Sequence, residues 1–146
     1  MSLSAAPVAV PGIESTVFGG AINGLFDYCT GQPATGDMFG WLAGLLARYG
    51  KATTGEIFAA LLAELDPDAA PSPVAVMDWW NGCRTPLGRD DLGGRIAGLT
   101  MTTTPADIYR AMLEAAAMGM RYAHGLHARI GPLDEIRVTA GMARVP

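Results

Sequence analysis

The sequence predicts a mixed fold of helices and strands, in an α/β or α+β layout. Two observations carry this prediction. Segments with apolar residues at three- and four-residue spacing interleave with short β-like runs along the whole chain. Half of the 146 residues are apolar and only 16% are charged, enough for one domain with a packed core.

The elements follow in order. Residues 8–29 alternate weakly and are punctuated by Pro11, Gly19, Gly20 and Gly24, which reads as a strand pair or an irregular β segment with turns. From Thr35 the spacing becomes helical through Met38, Leu42, Leu45, Leu46 and Tyr49, and Gly50 suits the helix end. Thr53 to Glu56 forms a capping box ahead of Ile57, Phe58, Leu61, Leu62 and Leu65, so a helix is expected over about 54–65. The stretch DPDAAPSP (66–73) is a proline-rich loop. VAVM (74–77) is a candidate buried strand, residues 78–92 are loop-like, and GRIAGL (94–99) is a further short strand.

Thr104 caps the longest helix, expected over about 105–129, with Pro105 at its first position and Asp107 in the first turn where it complements the dipole. Its stripe of Ile108, Met112, Ala115, Gly119, Tyr122 and Leu126 could be a coiled-coil seam, but the small residues favour close packing on a sheet or another helix. Met112, Met118 and Met120 read as core filler. Gly131 and Pro132 stop the helix, and EIRVT (135–139) is a last strand candidate. No internal repeat or interdomain linker is evident. A strand and glycine turn at the end, with no helix after it, give the look of a chain that has been cut.

Composition narrows function. The net charge is −4 without a basic run, which argues against a nucleic-acid surface. No run approaches the roughly 18 apolar residues of a transmembrane helix. The start, MSLSAAPVAVPG, lacks a basic n-region and is broken by Pro7 and Pro11, so it does not read as a signal peptide. Cys29 and Cys83 are expected as reduced thiols of a cytoplasmic protein. His124 and His127 share a helix, but no Cys, Asp or Glu nearby in sequence completes a zinc set, and no metal site is expected.

Three stretches carry chemistry together. GRIAGLTMTTTPADIYRAMLE (94–114) holds Gly94, Gly98-Leu99, Asp107-Ile108 and Ala111-Met112-Leu113-Glu114. DWWNGCRTP (78–86) has two tryptophans running into a turn. PGIESTVFGGAINGLFDYCTGQPATGDMFGW (11–41) begins on Pro-Gly-Ile and ends on Gly-Asp-Met-Phe-Gly-Trp. The first closely resembles the C-terminal motif of the FGGY carbohydrate kinases. The second and third are similar to the ribulokinase loops "DW-x-NG-x-RTP" and "GQ-x-A-x-GD-x-FGW" within that family.

The resemblance implies a single partial domain over 1–146, an incomplete actin-like ATPase (ribonuclease H-like) fold of α/β class. It implies ATP and Mg as cofactors of the parent family, and phosphoryl transfer to a sugar hydroxyl. Gly36 would stand at the turn that meets the nucleotide. Ala140 and Gly141 would occupy the pair facing phosphates and adenosine, where the family usually has Gly-Gly; the methyl of Ala140 restricts φ and crowds a phosphate. The blander readings are a helix-start turn at Gly36 and a plain turn at Gly141.

By the same resemblance the catalytic base, a phosphate loop, the N-terminal lobe and a helix after Gly141 are missing. Asp37, Asp78, Asp90, Asp91 and Glu114 do not match the base. The expectation is therefore a kinase fragment that is inactive alone, binds no cofactor tightly, and partners the missing lobe or itself. The alternative is a non-catalytic actin-like binding or assembly module. In the tryptophan loop, Arg84 is expected to pair with Asp90 or Asp91 rather than a phosphate. One of Trp79 and Trp80 is expected in the core and the other partly exposed, with Asn81-Gly82 as a turn.

Overall fold

The structure, a computed structural model, describes residues 1–137. Its elements are β1 (Ser2–Ser4), β2 (Ser15–Phe18), β3 (Phe26–Cys29), α1 (Thr35–Ala47), α2 (Thr54–Ala63), β4 (Ala75–Met77), β5 (Arg95–Ala97) and α3 (Pro105–His127).

Local chemistry sets two of the three helix starts. At α2 the Thr53 hydroxyl accepts from the Glu56 amide and the Glu56 carboxylate accepts from the Thr53 amide at 2.7 Å. At α3 the same exchange joins Thr104 and Asp107, with Pro105 following the cap. These bonds hold the Glu56 and Asp107 carboxyls below their ordinary range. α1 starts differently. Its N-cap, Ala34, sits in the left-handed region at φ 64° and offers no side-chain acceptor.

The core lies where the three helices meet β4. Met38, Phe39 and Leu42 of α1, Leu61 of α2, and Ala106, Tyr109, Met112 and Ala116 of α3 form one buried cluster, with Val76, Trp80 and Ile96 packed against it. The Phe39 and Tyr109 rings meet edge-on at 5.5 Å. Three expected core residues depart from this. Tyr49 lies beyond the end of α1 and is exposed. Met118 and Met120, read as filler, face solvent because the second half of α3 extends past the helices that cover the first.

The strands form two sheets. One has order β1-β3-β2 and the other pairs β4 with β5, and every pairing is antiparallel. Of the two layouts open to the sequence, the described residues show α+β. β2 and β3 are joined by the turn 19–25 and β4 and β5 by the loop 78–94, with no helical crossover between paired strands. No sequence pattern marks β1, which is three residues long. VAVM is less buried than expected: Val74 is buried, but Ala75 and Met77 of the strand are exposed. Residues 135–137 of the expected last strand form no strand, and 138–139 lie outside the described residues. No described helix is long and apolar enough to cross a membrane.

The three-stranded sheet is tied down by polar anchors. The fully buried Tyr28 hydroxyl takes the Val8 amide at 2.8 Å and contacts Ser4 Oγ at 2.9 Å, holding the N-terminal segment. Buried Asp27 accepts the Ala21 amide within the turn.

Close packing predicts a contrast between two glycines. A Cβ on Gly94 would lie 1.9 Å from the Trp80 ring, whereas one on Gly44, inside α1, would meet nothing within 4 Å. Gly94→Ala should destabilise the chain by about 1–3 kcal/mol, whereas Gly44→Ala should be neutral or stabilise it by up to about 1 kcal/mol. Thermal unfolding of the two variants checks this; equal midpoints would contradict the Trp80 contact.

Candidate functional site

Two of the three motif stretches line one cleft, and the third packs behind it. β3 leads into Thr30-Gly31-Gln32, and this segment meets the tryptophan loop twice. The Gly31 amide donates to Thr85 Oγ1 at 3.0 Å, and the Gln32 amide nitrogen donates to Asp78 Oδ2 at 2.5 Å. The third stretch enters from beneath, with Gly94 under Trp80. At Gly98, φ is +83° and an added Cβ would lie 2.7 Å from the Pro73 carbonyl oxygen, so glycine is needed there.

The loop holds its own shape. Cys83 and Arg89 exchange backbone bonds at 2.7 and 3.0 Å, and Gly82 sits at φ +84° with its amide on the Trp79 carbonyl. The two tryptophans divide as expected. Trp80 packs on the core, its ring edge-on to Trp41 at 5.5 Å, and Trp79 turns into the cleft. The cleft encloses about 260 Å³ between Gln32, Asp78, Trp79 and Thr85 on one side and Met118 and Tyr122 of α3 on the other. Its aromatic wall and carboxylate–amide pair suit a ligand with both apolar and hydroxyl surfaces.

Arg84 corrects the sequence reading. It pairs with Glu14 at 3.7 Å, not with Asp90 or Asp91. The Cys83–Arg89 bridge puts Arg89 beside Asp91 instead, at 2.9 Å through Nε, and Arg84 is left facing the segment before β2. Glu14 and Arg84 then close over Gly31, where an added Cβ would meet the Glu14 carboxylate.

The remaining sequence candidates are scattered. Gly36 lies in the first turn of α1, and an added Cβ would meet nothing within 4 Å beyond the helix's own backbone and its chain neighbours. Ala140 and Gly141 lie outside the described residues. Asp37, Asp90 and Asp91 are exposed, Asp78 is engaged by Gln32, and Glu114 pairs with Arg110 at 3.1 Å and accepts the Ser72 amide.

From sequence, His127 suggests only a metal ligand. It is buried at the end of α3, with Nδ1 2.8 Å from Ser2 Oγ and Nε2 3.1 Å from Thr30 Oγ1. It joins α3 to β1 and to the segment leading into the cleft. Burial lowers its pKa from the ordinary value, and the Met1 amino group and His124 add to the effect.

The fold that holds these motifs is that of a carbohydrate-kinase C-terminal domain. The family profile described as the FGGY family of carbohydrate kinases, C-terminal domain, matches residues 1–145, and the chain belongs to that family. Among curated relatives, the ribulokinase of Bacillus licheniformis is 33% identical over 141 residues, covering 92% of this chain and 26% of the relative. The ribulokinase of Halalkalibacterium halodurans is 36% identical over 140 residues, covering 91% and 25%. The chain thus spans about a quarter of the length of these relatives. The crystal structure of xylulose kinase from Rhodospirillum rubrum shares the fold at a TM-score of 0.63 and 24% identity, over 88% of this chain and 25% of that one.

The His127 anchor predicts a pH dependence. Its depressed pKa means that the folded state binds the proton less well than the unfolded state near pH 6. Stability should be complete above about pH 6.5, the ordinary histidine value, and fall as pH drops from there toward the folded-state pKa. Urea midpoints at neutral and mildly acidic pH check this. His127→Gln should flatten the decline, and an unchanged decline in that variant would contradict the assignment.

Proposed function

We propose that this chain forms part of the C-terminal lobe of an ATP-dependent carbohydrate kinase similar to ribulokinase, of actin-like fold and cytoplasmic. The observation that carries the reading is the family match along nearly the whole chain together with ribulokinase relatives at 33% and 36% identity. On this reading residues 1–146 are one partial domain, completed by the remaining kinase polypeptide or, without it, prone to self-association.

The nucleotide would lie at the start of α1. Two features of the chain fit it. The Ala34 cap supplies no side-chain acceptor, which leaves first-turn amides available to an anionic group, and Gly36 presents open backbone. ATP with Mg supplies the phosphoryl group when bound. Gly36 and the Ala140-Gly141 pair would position the nucleotide, while Gln32, Asp78 and Trp79 shape the neighbouring cleft. None of the chain's carboxylates is assigned the role of general base, so phosphorylation requires the remainder of the kinase.

Coupled-assay measurement with L-ribulose and ATP tests the reading. The chain alone should give no turnover above a no-enzyme control. A single polypeptide in which it replaces the matching quarter of the B. licheniformis ribulokinase should phosphorylate L-ribulose. Turnover by the chain alone, or a folded but inactive chimera, would count against it. In the chimera, Gly36→Val should raise the KM for ATP with little change in thermal stability, since the added side chain meets open space.

A further inference from the structure

Three consecutive residues ahead of α1 are each held by a different part of the chain. Thr30 Oγ1 lies 3.1 Å from His127 Nε2, the Gly31 amide donates to Thr85 Oγ1 at 3.0 Å, and the Gln32 side chain donates to Asp78 Oδ2 at 2.5 Å. The Gln32 side-chain amide also rests on Gly119 of α3, where an added Cβ would collide with it. The Gln32 carbonyl accepts from the Thr35 hydroxyl at 3.1 Å, and Pro33 keeps Gln32 out of helical backbone.

This held segment runs into an unusual conformation. Ala34 stands at φ 64° and ψ 23°, the one described residue other than glycine at positive φ. Such backbone is strained for an alanine and persists only where the surroundings enforce it. Its own methyl makes no bond that could do so, which leaves the enforcement to the residues before it. The conformation also sets where α1 begins. The Ala34 carbonyl accepts the first helical bond, from the Met38 amide at 3.0 Å, and no side chain caps the amides of Thr35, Gly36 and Asp37. Among the side-chain holds on Thr30, Gly31 and Gln32, the one from Asp78 grips closest to Ala34. It joins an amide to a carboxylate, a stronger bond than the neutral ones beside it.

We propose that Asp78 is a positioning residue: through Gln32 it keeps Ala34 in the left-handed region, and so fixes the uncapped first turn of α1 for an anionic group of the nucleotide. The proposal rests on the kinase reading for its ligand, but not for the hold on α1.

Reciprocal exchange of the pair tests it. Gln32→Glu sets two carboxylates against each other, and Gln32→Glu with Asp78→Asn restores an amide–carboxylate pair in the reverse direction. Gln32→Met removes the donor without adding charge, and serves if the charged variant does not fold. In the full chain, amide hydrogen exchange at Met38 is compared with Ile57, whose amide makes the corresponding first bond of α2, to Thr53 at 3.0 Å. Relative to Ile57, the Met38 amide should exchange at least about tenfold faster in either single variant, and return to within about twofold of the parent in the double variant. In the ribulokinase chimera, the single variants should raise the KM for ATP by about fivefold or more while kcat changes by less than about twofold, and the double variant should recover the KM. An unchanged Met38 rate in the single variants, or no recovery on exchange, would overturn the proposal. So would an unchanged KM for ATP in an active chimera. Faster Met38 exchange that recovers in the double variant, beside a folded chimera without turnover, sinks the kinase reading alone, because the hold on α1 is measured without ATP.

Discussion

Burial of the first half of α3 is the constraint on which the rest of the molecule depends. Met112 is fully enclosed and Tyr109 nearly so, and α1, α2 and β4 each place apolar side chains against them. Burial raises the Tyr109 hydroxyl's pKa above its ordinary value. From it the cleft is built outward in steps. Trp80 packs on the core and on Gly94 just ahead of β5, Trp41 of α1 meets Trp80, and the loop that Trp80 anchors delivers Asp78 to Gln32. A change at the helix junction therefore reaches the cleft through packed rings, not through a flexible tether.

What was legible in the sequence was local chemistry. The Thr53–Glu56 box, the Thr104-Pro105 start and the turn at Gly82 all rest on residues within a few positions of one another, and each stands where its pattern put it. What escaped depended on distant partners. β1 exists only because Ser2–Ser4 pairs with Phe26–Tyr28, and three residues carry no period to read. Arg84 found Glu14, seventy residues earlier, while the nearer acids were taken or turned away. Met118 and Met120 follow the helical pattern of core residues, yet pattern alone does not say where along a long helix the covering elements stop.

The candidate site divides the same way. The three motif stretches were recognisable separately, and the fold brings them together: two line one cleft, and the third packs through Gly94 on Trp80. The polar contacts that join them, Gly31 to Thr85 and Gln32 to Asp78, were not visible, since nothing in either stretch specifies the other. His127 is the clearest omission. Beside His124 it suggested only a metal pair, whereas both of its ring nitrogens are occupied by hydroxyls from β1 and from the segment after β3. A buried histidine at a helix end with serine and threonine partners is a structural clamp whose partners lie about a hundred residues away.

On the proposed role, the helix start and open glycine of α1 would form only part of a nucleotide site. Titration calorimetry of Mg-ATP into the isolated chain tests that directly. Binding weaker than about 1 mM, equivalent to less than roughly 4 kcal/mol of free energy, is the expected result. A low-micromolar Kd would contradict it, because that affinity requires a nucleotide pocket already complete within these residues.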